Sequence, residues 1–600
     1  MKDFKKCTAW LLALALVAGL FAGCAGDEQN AAESTTQAVG TTQAAGSAPA
    51  DAGTPKALKL FLPLNGVSNL DPALWSWGTH HARMGIFEGL TVLDNNFKPV
   101  PANAEALKPN ADYTVWTITL RKDLKWSDGT PLTAKDYEYS FKRVMDPKTS
   151  VGASGSFITG VPIKGYEDLK YGRAGVDQLG VKAIDDTTLE ITLSRAWPNL
   201  PVSLAESWAL PVPQKVIEAK GAKEWATTAE NIVSNGPFKV KTFTVNTTLL
   251  LEKNPNYYGT VNVDEVHILN STASTVPNEF LAYQNGDVNV ASLKQSDIEA
   301  VEKDAALSEQ KAIFKSSIVY FMDLLFSEND ILQKNYKVRQ AIAMSLNKDM
   351  IAKDIMKDTV RAGNSLIPEI WATWGNDIGL KYDPAKAKQL MVEAGFPEGR
   401  GFPELTILIS GTPTARELAI GQQITEGTGI KTKIVNEEWA AFSKDLQKIW
   451  PKDTIGYYIS GSGTAVASYQ GYFLNNQWDL GKNELPAASM AKYVKIRDDN
   501  TIDAAEKNQM IKDILDNETS AEGKKYRQLV AQAEASVDPA QQEALYKEAA
   551  RLRDERAGTI AIDWENGVKL VKPEVKNFIG NPLLLGTPPL YFNSVTIESK

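Results

Sequence analysis

The chain has 600 residues, of which 43% are hydrophobic and 23% are charged, with 42 Gly and 29 Pro. These values are typical of globular proteins and exclude a collagen-like, coiled-coil or wholly disordered chain. The net charge of −9 comes with no block of basic residues, which argues against a nucleic-acid partner. Both cysteines, Cys7 and Cys24, lie near the start, so we expect no disulfide in the folded body, and three histidines leave little material for a transition-metal site.

The first residues carry the pattern of an export signal. A positively charged start precedes an uncharged stretch, 7–23, which is short for a membrane span and ends in small residues. The letters FAGC at 21–24 resemble the bacterial lipobox, in which the cysteine is lipidated and becomes the mature N-terminus, although Phe21 departs from the usual aliphatic residue. We therefore expect a signal peptide over 1–23 and a lipid on Cys24; secretion without an anchor is the alternative.

The segment that follows, 24–55, has the composition of a linker. It is rich in Ala, Gly, Ser and Thr, and Val39 is its single large aliphatic residue. Such a segment buries too little apolar surface to fold, so it is predicted to be a flexible tether with a coil reach of about 30 Å. A globular body outside the membrane, held by this tether, is the resulting hypothesis.

Strand and helix patterns alternate along the body, which predicts a mixed α/β fold. Apolar and polar residues alternate over short runs, as they do in half-buried strands. These runs lie at 116–121, 188–193, 238–243, 249–252 and 404–409.

Three helices have recognisable start signals. A capping-box pattern at 133–136 predicts a helix that continues to about Met145. Asp-Pro pairs at 383–384 and 538–539 each supply an N-cap and a proline for the first turn. We expect these two helices to end at Gly395 and near Gly558.

Two further segments have a clear character. Residues 337–357 carry a broad apolar face, which is typical of a helix that packs against a core. Residues 481–525 are polar and charged and are predicted to form a surface insertion.

No pattern in the chain indicates catalysis. The phosphate-binding loop G-x-x-x-x-G-K-[ST] does not occur, and the Gly-Ser loops at 152–156 and 460–463 do not satisfy G-x-S-x-G. His80 and His81 are adjacent, so their side chains point apart on a regular element, and no carboxylate cluster at ligand spacing accompanies them. We predict a protein that is not an enzyme and has no cofactor and no metal.

Aromatic residues, 9% of the chain, are the remaining signal. Several of them lie in segments rich in Gly, Pro or Ser, among them Trp75, Trp77, Trp439 and Tyr458. Each one alone is better explained as an ordinary core residue. Clusters on loops, however, suit a concave site in which flat side chains cover a ligand.

Longer blocks of the sequence resemble the oligopeptide-binding lipoproteins of bacterial ABC importers, the extracellular solute-binding protein family 5. In chain order, these blocks are LDP at 70–72, IFEGL at 86–90, VWTITLRKDLKWSDGTPLTAKDYEYSFKRVMDP at 115–147, LGVKAIDDTTLEITL at 179–193, PVPQKVIE at 211–218, NIVSNGPFKV at 231–240, YKVRQAIAMSLNKDMI at 336–351, YDPAKAKQLMVEAGF at 382–396 and NEEW at 436–439. They follow the family's order over nearly all of 56–600. The combination of W-S-D-G-T-P with S-N-G-P-F is highly specific.

The resemblance implies an α/β fold of the periplasmic-binding-protein type: a two-lobed clamshell (type II, large peptide-binding class) with an extra inserted domain. Lobe I would comprise 56–88, 210–320 and 567–600, the inserted domain II 89–209, and lobe III 321–566. Two strands, near residue 320 and near residue 566, would join the lobes as a hinge. Ligand would bind between the lobes and stabilise the closed form.

The resemblance also implies a function. A monomeric lipoprotein on the extracytoplasmic face of the cell membrane would capture oligopeptides, including signalling or cell-wall peptides, and deliver them to an ABC permease driven by ATPase subunits. Two alternatives stay open. The same clamshell could carry another solute, such as an oligosaccharide, since aromatic rings stack on sugars, or it could act as a surface chaperone or adhesin.

In this family a peptide lies extended in the cleft and pairs with protein main chain much as an added strand would. The resemblance assigns one backbone-pairing stretch to 75–78 and a second to 457–473, and it places aromatic walls at three further positions. The implied ligand-binding residues are Trp75, Trp77, Gly78, Phe157, Tyr320, Trp439, Tyr458, Ser460, Gly461 and Ser462.

The second stretch departs from the family in its charge. A family aspartate there captures the α-amino group of the ligand, because a buried charge needs a partner. Here the residues from Thr454 through Trp478 include no Asp or Glu. Either the amine is held elsewhere in this protein, or the ligand has no free amine.

Overall fold

The structure is a computed structural model that describes residues 56–62, 68–74, 77–94, 98–149, 161–270, 278–462, 470–474, 478–578 and 592–598. The chain divides into two units, Met1–Gly53 and Thr54–Lys600, and every described residue belongs to the second. The predicted signal peptide, the tether and Cys24 therefore lie outside the described residues. Among the helices of the described part, none is long and apolar enough to cross a membrane.

The strands of the described residues are numbered here in chain order. They are β1 Ala57–Leu62, β2 Thr91–Leu93, β3 Pro99–Pro101, β4 Ala104–Pro109, β5 Val115–Leu120, β6 Val181–Ala183, β7 Thr188–Thr192, β8 Phe238–Thr244, β9 Thr248–Lys253, β10 Glu265–Asn270, β11 Val290–Ser292, β12 Lys311–Leu324, β13 Val360–Ala362, β14 Leu405–Ser410, β15 Thr432–Glu437, β16 Ile455–Ser462, β17 Thr559–Val571, β18 Val575–Lys576 and β19 Thr596–Ile597.

The helices fall between these strands, and the longest of them follow β13. They are Trp77–Ile86, Ala134–Met145, Tyr166–Lys170, Leu200–Ser203, Gln214–Lys220, Glu279–Asn285, Gln295–Lys303, Ala305–Glu309, Ile331–Lys334, Tyr336–Ser345, Lys348–Met350, Pro384–Glu393, Ala415–Thr428, Trp439–Asp445, Gly471–Leu474, Leu480–Asn483, Ala487–Asp498, Ala504–Asn517, Ala521–Ala535 and Pro539–Arg556. The predicted α/β class is confirmed.

An eleven-stranded sheet runs through the molecule in the order β15-β14-β16-β12-β17-β11-β1-β10-β9-β8, and β13 pairs with β17. A separate four-stranded sheet has the order β4-β5-β7-β6. The long strands β12 and β17 pair with each other antiparallel from Lys311 opposite Leu570 to Asp323 opposite Thr559, with register shifts between. They are the strands that join the two halves of the large sheet.

Buried apolar residues form separate cores on the two sides of this strand pair. One core gathers side chains from 58–290 and 575–595, including those of the four-stranded sheet. Two others gather side chains from 319–564 and pack on opposite faces of β14, β16 and β12. The domain boundaries given above stay a prediction, since a core cluster does not fix where a domain begins.

The predicted strands at 116–121, 188–193, 238–243, 249–252 and 404–409 are confirmed as β5, β7, β8, β9 and β14. Burial alternates clearly in β5, which buries Trp116, Ile118 and Leu120 while its intervening side chains are more exposed, whereas β14 is buried on both faces. In β5 the period of two therefore places one face of the strand on a core.

The three predicted helix starts are also confirmed. Thr133 and Asp136 form a capping box at the start of the helix Ala134–Met145. The Asp383 carboxylate accepts a hydrogen bond from the backbone N–H of Lys386 at 2.9 Å, which satisfies one free donor of the first turn. The Asp538 carboxylate accepts from Ala540 in the same way, at 2.9 Å.

Two segments differ from their predictions. The apolar stretch 337–357 is not one helix, because Asn347 interrupts it: its side chain accepts from the N–H of Met350 and starts a second, short helix. The stretch 481–525 forms successive helices rather than a surface insertion. Leu485, Met490 and Leu515 from it pack with Phe326 in a core of their own, since a few apolar residues at helical spacing suffice for a buried face.

Candidate functional site

Three strands of the large sheet end at one edge. β14 runs parallel to both β15 and β16, and these strands end at Ser410, Glu437 and Ser462. Parallel strands need crossover connections, and here the helix Ala415–Thr428 leads from β14 to β15 and the helix Trp439–Asp445 leads from β15 towards β16. The loops after the three strands therefore meet at one edge, the usual place for a binding site in such sheets.

A cavity of about 250 Å³ opens at this carboxyl edge. Its lining residues are Tyr320, Ile409, Ser410, Thr412, Thr414, Glu417, Trp439, Phe442, Ile459, Ser460 and Gly461. Four of the residues predicted from sequence, Tyr320, Trp439, Ser460 and Gly461, come together here although they are up to 141 positions apart in the sequence. We call this the edge cavity.

A glycine makes room for the aromatic wall of the edge cavity. Gly461 of β16 is paired with Tyr320 of β12, so side chains at these two positions share a face of the sheet. A Cβ atom at Gly461 would lie 3.0 Å from the Cδ2 atom of the Tyr320 ring, which is closer than side chains normally pack. The absence of a side chain at Gly461 thus allows the half-buried tyrosine ring to lie across β16.

A cluster of three charged residues, Arg416, Glu417 and Asp563, contacts this ring through Arg416; we call it the clamp. The Arg416 guanidinium lies over Tyr320 at 3.4 Å from the ring centroid, a cation–π contact. It also donates hydrogen bonds to both carboxylate oxygens of Asp563, at 3.1 and 3.2 Å, and its Nε lies 3.3 Å from Glu417 Oε1. Burial raises the pKa of Asp563 to about 6, and the positive charge of Arg416 acts against this rise.

Trp439 lies at the rim of the edge cavity. Its side chain is 62% exposed, the largest exposed fraction among the large hydrophobic residues of the described part. It packs against Phe442 with ring centroids 5.7 Å apart, one turn further along the same helix. An indole held on one side and open on the other offers a flat apolar surface to a ligand.

Tyr458 belongs to the core. It is 8% exposed, and its ring packs between Phe321 and Phe442 with edge-on contacts. Its hydroxyl donates to the buried Asp323 carboxylate at 2.9 Å. Tyr458 therefore does not line the edge cavity itself but packs against Phe442, which does.

The end of β16 has one unpaired edge. β16 pairs with β12 up to Ser462, whereas its pairing with β14 stops at Tyr458. Among the described strands, none pairs with 459–462 on the β14 side. These residues present main-chain groups next to the cavity, although the side chain of Ser462 lies outside the described set.

The other predicted ligand residues are not tested by the structure. Trp75 and Phe157 lie outside the described residues. Trp77 and Gly78 begin the helix Trp77–Ile86, but their surroundings are likewise outside the description. Their roles stay a prediction.

Sequence reasoning missed the clamp of Arg416, Glu417 and Asp563. A signal existed for Glu417, because Thr414 and Glu417 have capping-box spacing and do form a capping box. No sequence signal marked Asp563, which lies in a strand far along the chain and meets Arg416 only through tertiary structure.

A larger cavity, of about 500 Å³, lies among the helices of 479–534. Four of its charged residues are paired with one another: Arg527 bonds to Asp479 and to Asp516, and Lys512 also bonds to Asp516. None of the predicted ligand residues lines it. The edge cavity is therefore the better candidate for the functional site.

The chain resembles known binding proteins along most of its length. The family model described as "Bacterial extracellular solute-binding proteins, family 5 Middle" matches residues 98–483. The dipeptide-binding protein DppE of Bacillus subtilis is 26% identical over 97% of this chain and 98% of its own. The periplasmic oligopeptide-binding protein OppA of Escherichia coli is 26% identical over 84% of this chain and 86% of its own. A further relative at 26% identity, over 83% of this chain and 86% of its own, is the probable deoxycholate-binding periplasmic protein YgiS of Escherichia coli.

The fold is shared with solved structures of such proteins. The unliganded open form of the periplasmic murein tripeptide binding protein MppA superposes with a TM-score of 0.68, at 22% identity, over 90% of this chain and 97% of its own. The predicted fold class is thereby confirmed.

Proposed function

Because this chain belongs to the bacterial extracellular solute-binding proteins of family 5, the binding components of ABC transporters, we propose that its solutes are oligopeptides, which it captures outside the cytoplasm and hands to a membrane permease. The prediction of a binding protein rather than an enzyme is confirmed by this membership. The names of its relatives, which include a dipeptide-binding and an oligopeptide-binding protein, support peptide as the solute.

The unpaired edge of 459–462 is the observation that carries the peptide proposal. An extended peptide has a backbone that can add to such an edge as one more strand, and main-chain hydrogen bonds of this kind give affinity without demanding a particular sequence. The edge borders a cavity lined by Tyr320 and Trp439, which is suited to a side chain of the bound peptide. A solute without a repeating pattern of N–H and C=O groups cannot form the same series of main-chain hydrogen bonds with this edge.

The position of the edge cavity relative to β12 and β17 supports closure of the two halves of the molecule around a ligand. β12 and β17 join the two halves of the large sheet, and the edge cavity lies where they leave the half that contains β14 and β16. A ligand that contacts both halves favours the conformation in which they are close, by its differential affinity for that conformation. The closed form is the one that we propose is recognised by the permease.

We propose further that the mature protein is anchored by a lipid on Cys24 and works as a monomer. The export pattern of 1–23 and the tether composition of 24–55 support an anchor on the outer face of the membrane. An anchored receptor releases its solute close to the permease, within the reach of the tether.

A non-peptide solute is the second candidate. It is favoured by the uncharged stretch from Thr454 to Trp478 and by the exposed indole of Trp439, which suits a sugar ring or another flat apolar face. The relative named for deoxycholate supports the idea that the family's fold accommodates such solutes.

The two candidates are separated by the cargo of the native protein. Residues 56–600 are to be purified without refolding and then denatured, and the released small molecules identified by mass spectrometry. A mixture of short peptides supports the peptide role. A homologous series of sugars, or another solute without peptide bonds, contradicts it. An empty preparation is followed by a thermal-shift screen with a broad peptide library, in which a dose-dependent rise in Tm is expected by mass action and no shift counts against the proposal.

A further inference from the structure

β17 extends beyond the edge at which β14 and β16 end. The last residue of β16, Ser462, is paired with Val319 of β12, and Val319 is paired in turn with Trp564 of β17. Residues of β17 after Trp564 therefore lie past the end of β16, on the far side of β12. The first of them is Glu565, which lies in the part of β17 that connects the two halves of the large sheet.

Glu565 shares a face with the wall of the edge cavity. Tyr320 is paired with Asp563, so the two side chains lie on one face, and the contact of Arg416 with both confirms this. β13 pairs without interruption along 563–565, so Glu565 lies on the same face as Asp563, about 7 Å further along the strand.

The cations around Glu565 are engaged by other groups. Arg416 binds Asp563 and Glu417. Arg361 pairs with Glu369 at 3.1 Å and donates to the backbone carbonyl of Glu565 at 2.9 Å, not to its carboxylate. Both guanidinium groups are therefore paired with carboxylates other than that of Glu565.

The third neighbouring cation, Lys569, donates to Ser292 Oγ at 2.9 Å. Within the described part of the chain, the carboxylate of Glu565 has neither a hydrogen bond nor an ion pair. Burial, reinforced by the negative charge of Asp563, raises its pKa to about 7. A half-buried carboxylate in this state lacks the partner that such groups normally have.

We propose that Glu565 is the acceptor for a cationic group of the ligand, either the α-ammonium group of a peptide or the charged end of a basic side chain. The inference rests on the proposed peptide function and names the part of the ligand that the site selects. The uncharged stretch from Thr454 to Trp478 contributes no negative charge to the site, and Glu565 supplies it from β17, which is separated from β16 by β12.

The chemistry favours a cation over a neutral donor. A bound ammonium or guanidinium group forms a charge-assisted hydrogen bond, which is stronger than a neutral one, and it keeps the carboxylate ionised beside Asp563. A neutral ligand leaves the carboxylate without a partner in a low-dielectric cleft, which is unfavourable. Discrimination therefore comes from the charge of the ligand and not from the shape of the cavity.

The test compares Glu565→Gln with wild-type protein on three defined probes. Two probes are mixtures of random tetrapeptides without Lys, Arg or His, one with free and one with acetylated amino termini. The third is an acetylated mixture in which each peptide contains a single Lys and no Arg or His. Affinities are measured by isothermal titration calorimetry and bound peptides are identified by native mass spectrometry. Glu398→Gln is the matched control, because its side chain is 83% exposed and lies before the start of β14, away from the carboxyl edge.

We expect wild-type protein to prefer one or both of the cationic mixtures over the acetylated neutral one. Glu565→Gln is expected to bind that preferred mixture about 10- to 100-fold more weakly and to bind the neutral mixture at least as tightly as wild-type protein does. Glu565→Asp is expected to restore part of the preference. A preference for free amino termini identifies the α-ammonium group as the partner, and a preference for the Lys mixture identifies a side chain.

Equal binding of neutral and cationic mixtures, or a preference that survives in Glu565→Gln, overturns the inference and leaves the peptide function intact. If wild-type protein binds none of the mixtures, it is the peptide function that fails. In that case 1,5-diaminopentane alone serves as the probe: binding that is lost in Glu565→Gln supports the inference, and no binding overturns it.

Discussion

At the scale of single residues, two tryptophans differ in exposure, which distinguishes a side chain available to a ligand from one that packs in the core. Trp439 is 62% exposed at the rim of the edge cavity, whereas Trp478 is fully buried and stacks on Tyr472 with centroids 5.3 Å apart. Truncation of an exposed ring removes contact area with a ligand but leaves no cavity in the core.

Trp439→Ala is therefore expected to weaken ligand binding about tenfold, roughly 1.4 kcal/mol, with the Tm of the free protein little changed. The affinity is to be measured by calorimetry with the ligand released from the wild-type protein. Trp478→Ala is the control and is expected to lower the stability by about 3–5 kcal/mol. A Trp439→Ala protein with a much lower Tm and an unchanged affinity would show that this side chain is a packing residue.

At the scale of elements, the helix starts show how a local signal survives in the folded chain. Asp383 caps the helix Pro384–Glu393, and Pro384 stands in the first turn, where its missing N–H costs no hydrogen bond. The cap uses only neighbouring residues. It is therefore independent of what the rest of the chain packs against this helix.

Asp383→Ala is expected to lower the free energy of unfolding by about 1 kcal/mol, because the N–H of Lys386 loses its acceptor. Asp383→Asn keeps an acceptor oxygen and is expected to retain most of the stability. Urea unfolding of both variants measures the difference. If the Asn variant loses as much as the Ala variant, the charge of Asp383 and not its hydrogen bond stabilises the helix.

At the scale of the whole molecule, contacts far from β12 and β17 link the two sides of the predicted cleft. Arg195 Nη1 lies 3.1 Å from Glu534 Oε1, so the loop after β7 meets the helix Ala521–Ala535. The Tyr171 hydroxyl accepts a hydrogen bond from the side chain of Asn508 in the neighbouring helix Ala504–Asn517. These pairs join predicted domain II to predicted lobe III, and we expect them to favour the closed form.

Glu534→Gln is expected to shift the molecule towards the open form and to weaken ligand binding up to about fivefold, the range of partly exposed ion pairs. Small-angle X-ray scattering of the free and ligand-loaded protein measures the radius of gyration. Arg195→Ala should have a similar effect, and the double variant should be no worse than either single variant, since both remove one interaction. Effects that add would mean that the two side chains act separately.

The sequence by itself determined the mixed α/β class, five of the strands, three of the helix starts, and the family. The strand β5 and the capping boxes follow from nearest neighbours along the chain, and such signals are local. The break at Asn347 and the core formed by Leu485 and Leu515 were missed, because the same residues fit a continuous helix or an exposed segment until their packing partners are known.

Only the tertiary structure decided how the site is assembled. Trp439 and Tyr320 were expected to serve a ligand, but their position beside Gly461 depends on which strands pair and in what register. The bond between Arg416 and Asp563, 147 positions apart, has no local signal, and neither has the carboxylate of Glu565, which lacks a partner among the described residues. A charge has a partner or lacks one only with respect to groups close in space, and the sequence records order along the chain rather than distance.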